Sequence, residues 1–198
     1  MIVSFEQFKE KYNNISDIKG KIKREITNKN LIPITKGLYE TNSEVHGSKL
    51  SQFIYGPSYL SFDYALYYYG LIPENVYNTF TCASYNKRKI KKFNNYFGTY
   101  IYRDVPSNVF YHSIITKIDS NYCYHIATPE KALCDKLYSL SPVRSLKDIK
   151  NLLFKDLRID TDGFKNLNFR EIIEIAPLYR STNLNLLVKL LRKEYANE

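Results

Sequence analysis

Phe5, Phe8 and Tyr12 recur at helical spacing directly after a serine. A helix is therefore predicted over residues 5–12, capped by the Ser4 hydroxyl and turned inward on its aromatic face. Ile18, Ile22 and Ile26 repeat at i, i+4 and i+8, which predicts a second helix over about residues 17–29. Gly20 weakens the first turn of that helix by roughly 1 kcal/mol relative to alanine. Two short apolar runs, residues 31–34 and 38–41, flank Thr35-Lys36-Gly37. They read as a hairpin turning near Gly37, where positive φ is free of steric cost. Pro33 has no N–H to give to a ladder, so its strand is expected at a sheet edge. Helix, basic helix and hairpin follow in the order of a winged helix-turn-helix with a shortened helical core.

Beyond a boundary near residues 46–47 the pattern changes to a larger unit. Ser61 is placed to cap a helix over 62–69, which Gly70 ends ahead of Pro73. Segments 76–84 and 96–105, rich in Tyr, Phe, Thr and Ile, read as strands, and 109–118 and 122–126 extend them into a small sheet. Thr128-Pro129-Glu130 combines a cap, a proline at the first helical position and an acid in the first turn. The helix over 130–139 that follows turns Ala132, Leu133, Leu137 and Leu140 inward. Ser145 and Asp148 resemble a capping pair ahead of 149–154. Segments 169–179 and 183–195 are predicted helical, with Pro177 forcing a kink or break. The expected fold class is α+β: an N-terminal winged helix-turn-helix domain, residues 1–46, then a larger mixed α/β domain, residues 47–198, with a helical C-terminal part.

Composition narrows the function classes. The 198 residues are 44% hydrophobic and 25% charged, which suits a packed globular chain and excludes intrinsic disorder. No stretch approaches the roughly 20 apolar residues of a membrane span. Acids interrupt the start where a signal peptide needs an apolar core, so a soluble, cytoplasmic protein is expected. Cys82, Cys123 and Cys134 are an odd number without a Cys-x-x-Cys, and His46, His112 and His125 lack ligand spacing. Buried reduced thiols and neither metal nor cofactor are the expectation. The net charge of +9 accompanies a chain rich in Lys, Ile, Asn and Tyr and without Trp, the signature of A/T-rich codons. Where the charge sits therefore matters more than its total.

Enzymatic signatures are absent, so the chain is not expected to be an enzyme: there is no glycine-rich phosphate loop, no Gly-x-Ser-x-Gly and no His-Glu-x-x-His. Asp17-Ile18-Lys19 and Asp148-Ile149-Lys150 have nuclease-like local spacing but no partner acid. The second helix and hairpin are more informative. Between Asp17 and Gly37 lie Lys19, Lys21, Lys23, Arg24, Lys29 and Lys36 against two acids. Lys21, Arg24 and Asn28 at i, i+3 and i+7 lie away from the isoleucine stripe. A helix presenting Arg, Asn and Lys can read the major groove, while lysines, including Lys36 at the turn, neutralise phosphates. The competing explanation is a solvated face in a lysine-rich chain. A second run, Lys87, Arg88, Lys89, Lys91 and Lys92, falls between two predicted strands. It reads either as a plain exposed hairpin loop or as a contact for nucleic acid or an acidic partner. Tyr64 and Tyr68 share a helical face suited to the core, whereas exposed tyrosines would stack on bases.

At these residues the chain resembles the AbiEi family of antitoxins, the transcription-regulator halves of type IV toxin–antitoxin operons. Three blocks carry the resemblance: the wing-like 31–39 with Lys36-Gly37-Leu38-Tyr39; Tyr55-Gly56-Pro57-Ser58-Tyr59-Leu60-Ser61 through Tyr69-Gly70-Leu71-Ile72-Pro73; and Ile126-Ala127-Thr128-Pro129-Glu130-Lys131-Ala132-Leu133-Cys134-Asp135. Their order and spacing, with the helical tail, extend it over nearly the whole chain. The resemblance implies an N-terminal winged helix that binds operator DNA at inverted repeats and represses its own operon. It also implies a C-terminal domain that counteracts a co-encoded nucleotidyltransferase-like toxin. Glu130, Lys131 and Asp135 are then the polar candidates for a surface of that domain. Two alternatives from other classes stay open: a nuclease-like, nucleic-acid-processing enzyme with carboxylates converging in a cleft, and an RNA-binding accessory protein using residues 87–92 and exposed tyrosines.

Overall fold

The computed structural model of the chain describes residues 1–74, 77–119 and 121–195. It opens with β1 (Ile2–Ser4), α1 (Phe5–Lys11), α2 (Ile18–Thr27), β2 (Ile32–Thr35) and β3 (Leu38–Glu40). The strands form an antiparallel sheet in the order β1-β3-β2, so Pro33 stands on an edge strand as its chemistry requires. Strand β1 has no sequence signal, because three residues are too few to show a period. Ser4 caps α1 with a full capping box: its Oγ accepts from the Gln7 N–H at 3.1 Å, and Gln7 Oε1 accepts from the Ser4 N–H at 2.8 Å. Asp17 Oδ1 caps α2 by accepting from the Gly20 N–H at 2.8 Å. A Cβ at Gly20 would lie 1.9 Å from Asp17 Oδ2, so this glycine makes room for the cap. Gly37 turns the hairpin at φ +75°.

The larger body begins with a 3-10 turn, Gly47–Leu50, and α3 (Ser51–Ile54), β4 (Ser58–Leu60) and α4 (Phe62–Tyr68). Then come β5 (Thr79–Tyr85), β6 (Lys91–Asn95), β7 (Gly98–Val105), β8 (Ile114–Asp119) and β9 (Tyr122–Ala127). These strands make a mixed sheet ordered β6-β7-β5-β4-β9-β8, parallel at β5–β7 and at β4–β9. The C-terminal part is helical: α5 (Pro129–Tyr138), α6 (Leu146–Asn151), a wider π turn over Leu152–Asp156, α7 (Thr161–Lys165), α8 (Phe169–Ile175), a 3-10 turn at Ala176–Tyr179 and α9 (Thr182–Glu194). The chain thus has mixed α/β content with a helical C-terminal part.

Several expectations change at this level. Ser61 precedes α4 but makes no side-chain cap, because its hydroxyl is committed to Asp135. The far end of α4 follows the glycine rule: the Gly70 N–H reaches Tyr67 O at 2.9 Å and the Leu71 N–H reaches Leu66 O at 2.9 Å, a complete Schellman closure. Val76, assigned to the first strand from sequence, lies outside the described residues, and that strand starts at Thr79. Residues 109–113 form a turn rather than a strand, with Val109 and Phe110 buried in it. Strand β6 was hidden by its charged, asparagine-rich sequence. At Pro177 the helix gives way to a 3-10 turn, as the lost N–H demands. Thr128 and Ser145 cap α5 and α6.

Two cores share one hairpin. Phe8, Ile22 and Leu31 are buried together, with Phe5, Tyr12, Ile18, Ile26 and Tyr39 around them. Ile32 and Ile34, from the same hairpin, belong instead to the main core built on the large sheet and the C-terminal helices. Asn95 Nδ2 at the end of β6 donates to Ile34 O at 2.9 Å. Burial first, then the Glu40 carboxylate, pushes the Tyr122 hydroxyl up to about 12. Among the described residues no helix is long and apolar enough to cross a membrane.

Candidate nucleic-acid interface

Helix α2 presents its charges unevenly. Lys19, Lys23, Arg24, Asn28 and Lys29 are exposed, as is Lys36 at the hairpin turn. Lys21 is not free: its Nζ sits 2.7 Å from Glu25 Oε1 and 5.1 Å over the Tyr12 ring. Lys21 and Asn30 bond to the Glu25 carboxylate and hold it below the usual range. The Lys21/Arg24/Asn28 face inferred from helical spacing is therefore interrupted at its first member by an intrahelical ion pair. Asn28 closes the helix as its C-cap, and Lys29 follows with φ +60°.

The structure brings a different set together. Lys19 and Lys23 stand one turn apart beside the hairpin, across from Lys36. They rim an open hollow of about 760 Å³ that Ile22, Ile26 and Tyr39 also line. Three exposed ammonium groups around one concavity, with Thr27 at its border, suit an anionic backbone. Among the described residues no acid lines this hollow. The spacing signal for this set is the i, i+4 pair Lys19 and Lys23; the hairpin's approach to it is a tertiary fact.

The second basic run is not a simple loop. Lys87 is half-buried with its Nζ 5.0 Å over the Tyr55 ring. Arg88 takes φ +57°, and its N–H donates to Asp104, which also accepts from Ser84 Oγ at 2.6 Å. Lys89 is exposed, while Lys91 and Lys92 already belong to β6, the edge strand beside β7. This run is a pinned turn leading into an ordered strand, with Arg88, Lys89 and Lys92 outward.

Glu130, Lys131 and Asp135 do not form a surface. They are 7%, 0% and 0% exposed. Lys131 Nζ pairs with Asp135 Oδ1 at 2.8 Å and donates to Tyr179 Oη at 2.6 Å, between the rings of Tyr59 and Tyr179. Asp135 accepts in turn from Tyr179 at 2.5 Å, Tyr59 at 2.9 Å and Ser61 at 2.7 Å. Burial, and then the Asp135 charge, drive both tyrosine hydroxyls well above their ordinary value, so they remain donors. Glu130 Oε1 accepts from the Asn168 N–H at 2.8 Å at the start of α8. The network ties β4, α5 and the Ala176–Tyr179 turn, and its role is to hold the fold. The i, i+4 spacing of Lys131 and Asp135 was the available signal for a pair; only burial shows that it points inward.

The remaining sequence candidates separate in the same way. Asp17, a helix cap, lines with Lys19, Glu6 and Glu10 an open hollow of about 680 Å³ between α1 and α2, while in the second Asp-Ile-Lys segment Lys150 pairs with Glu194 at 2.6 Å. Among the described residues no three His, Cys, Asp or Glu side chains come together as metal ligands. Cys82 and Cys134 are buried thiols that burial pushes up; Cys123 is exposed, against expectation, because its strand carries it to the open face. Tyr64 is half-buried against the core, but Tyr68 is 47% exposed. Neither a family model nor a curated protein matches the chain.

Proposed function

We propose that residues 1–46 are a winged helix-turn-helix and that the protein is a DNA-binding regulator of the AbiEi antitoxin kind, which represses its own operon and counteracts a co-encoded nucleotidyltransferase-like toxin. Support for the DNA-binding half comes from chain order: strand, helix, helix and hairpin, with the sheet ordered β1-β3-β2. In that reading α2 enters the major groove and the hairpin is the wing. The observation that carries it is the rim of Lys19, Lys23 and Lys36 around one hollow. Arg24 and Asn28, both exposed, are the groups able to read base edges. The antitoxin half rests on the resemblance of the three sequence blocks.

Fluorescence anisotropy with duplex DNA from upstream of its own gene tests the first half. The Lys19/Lys23/Lys36 triple alanine variant should bind all duplexes more weakly and lower the salt slope by roughly 0.9 for each phosphate that is no longer neutralised. Arg24→Ala should cost about 1–3 kcal/mol on the preferred sequence and relax preference at one position. Wild-type affinity in both variants removes α2 from the interface. Growth rescue on co-expression with the adjacent toxin gene tests the second half, and failure of rescue with repression intact would leave a regulator alone.

A further inference from the structure

Strand β4 pairs with β9 only at Leu60 and Ile126. Ahead of Leu60 a hollow of about 580 Å³ lies between α3, β4, the turn preceding β8 and the β8–β9 hairpin. That volume is in the range that encloses small molecules. One wall is aromatic: the Phe110 ring lies 5.0 Å from Tyr59 and 4.9 Å from Tyr111. Tyr111 and Phe53, which also line the hollow, are 68% and 40% exposed and stand at its mouth.

The polar side chains that line the hollow are Gln52, whose amide donates to Cys123 O, with Ser58, Thr116 and His125. His125 Nδ1 lies 3.1 Å from Thr116 Oγ1, which leaves Nε2 of the ring for another partner. Ser58 decides the chemistry. It is 5% exposed, and its hydroxyl has no hydrogen-bond partner among the described residues. A buried hydroxyl left unpaired destabilises a fold, and alanine would fill the same space without that cost. A serine is accounted for when the polar edge of a ligand completes the bond. Among the described residues no charged side chain lines the hollow, so a phosphate or carboxylate would lose its hydration there without compensation.

We propose that this hollow binds an uncharged planar heteroaromatic ring, the chemistry of a nucleobase, stacked against Tyr111 and Phe53 with its polar edge on Ser58 Oγ and His125 Nε2. The ring comes from a free nucleoside or from an unpaired base of a single strand. The site shares no residue with the α2 hollow and stands independently of the DNA-binding reading.

Titration calorimetry of the full chain with adenosine, guanosine, cytidine and uridine, and with a short single-stranded oligonucleotide of all four bases, tests it. At least one nucleoside should bind, with Ser58→Ala weakening it roughly five- to tenfold and Tyr111→Ala also weakening it. Binding of the oligonucleotide alone, weakened by the same two variants, supports the site with a strand as its source. A Ser58→Ala variant that melts at or above the parent separates lost binding from lost folding. Should that variant not fold, Tyr111→Ala, altered at an exposed ring, carries the comparison. The proposal is overturned if neither ligand binds, or if binding is indifferent to these residues.

Discussion

The buried Lys131–Asp135 pair places two charges where water cannot reach them, and its partners decide whether that is tolerable. Asp135 receives three hydroxyls besides the ammonium, so its lone pairs are occupied. Removing one member leaves the other charge unpaired in the core. Lys131→Met should therefore destabilise by about 3–5 kcal/mol, whereas Lys131→Met with Asp135→Leu should recover part of that loss. Chemical denaturation of the three proteins measures it, and equal stability of all three would contradict the assignment. The same network has a pH signature. Tyr59 and Tyr179 carry hydroxyls raised well above their ordinary value in the folded state. Their contribution is present below the unfolded tyrosine value of about 10. It is lost as pH rises from there, because the unfolded chain releases protons that the folded chain retains. Stability should fall with a steeper slope above about pH 10 in the parent than in the Tyr59→Phe/Tyr179→Phe variant.

Among the elements, α2 shows how a glycine with poor helix propensity is retained. Alanine at position 20 would gain roughly 1 kcal/mol in propensity. Its Cβ would, however, collide with the Asp17 carboxylate at 1.9 Å and displace the cap. The cap itself is worth roughly 1 kcal/mol. Gly20→Ala should thus leave the parent's stability about unchanged, the two effects cancelling, and stabilise the Asp17→Ala variant by roughly 1 kcal/mol. Thermal melts of the four proteins of this cycle would show that difference, and an equal gain in both backgrounds would mean that the cap relocates at no cost. In the hairpin, Gly37→Ala should cost about 1–2 kcal/mol, since φ +75° is strained for any residue with a Cβ.

At the scale of the molecule, β2 buries one face, Ile32 and Ile34, in the main core and leaves Pro33 exposed, while Leu31 just ahead of the strand closes the small core. A fragment of residues 47–198 keeps the large sheet but loses Ile32, Ile34 and Val45 from its core. It also loses the Glu40 carboxylate beside Tyr122. Each large apolar side chain contributes about 1.5–3 kcal/mol when buried. The fragment should therefore unfold at a lower urea concentration than the full chain, with Asn95→Ala shifting the full chain slightly in the same direction. An unchanged midpoint would mean that the two cores are energetically separate.

What could be read along the chain was local. Ser4, Gly37, Gly70, Thr128, Ser145 and Pro177 act through the backbone within a few residues, and each element end they mark is where helical period and capping chemistry place it. The basic character of α2 was legible for the same reason. Tertiary structure alone decided where each charge faces. Lys21 comes to lie over the Tyr12 ring, Lys36 comes to Lys19 and Lys23 through the hairpin, and Lys131 and Asp135 turn inward to hydroxyls 44 to 76 residues away in the chain. Strand β6 and the gap beside β4 belong to the same class, since pairing in a sheet depends on partners distant in sequence. Periodicity reports which residues share a face; burial depends on what the rest of the chain lays against it.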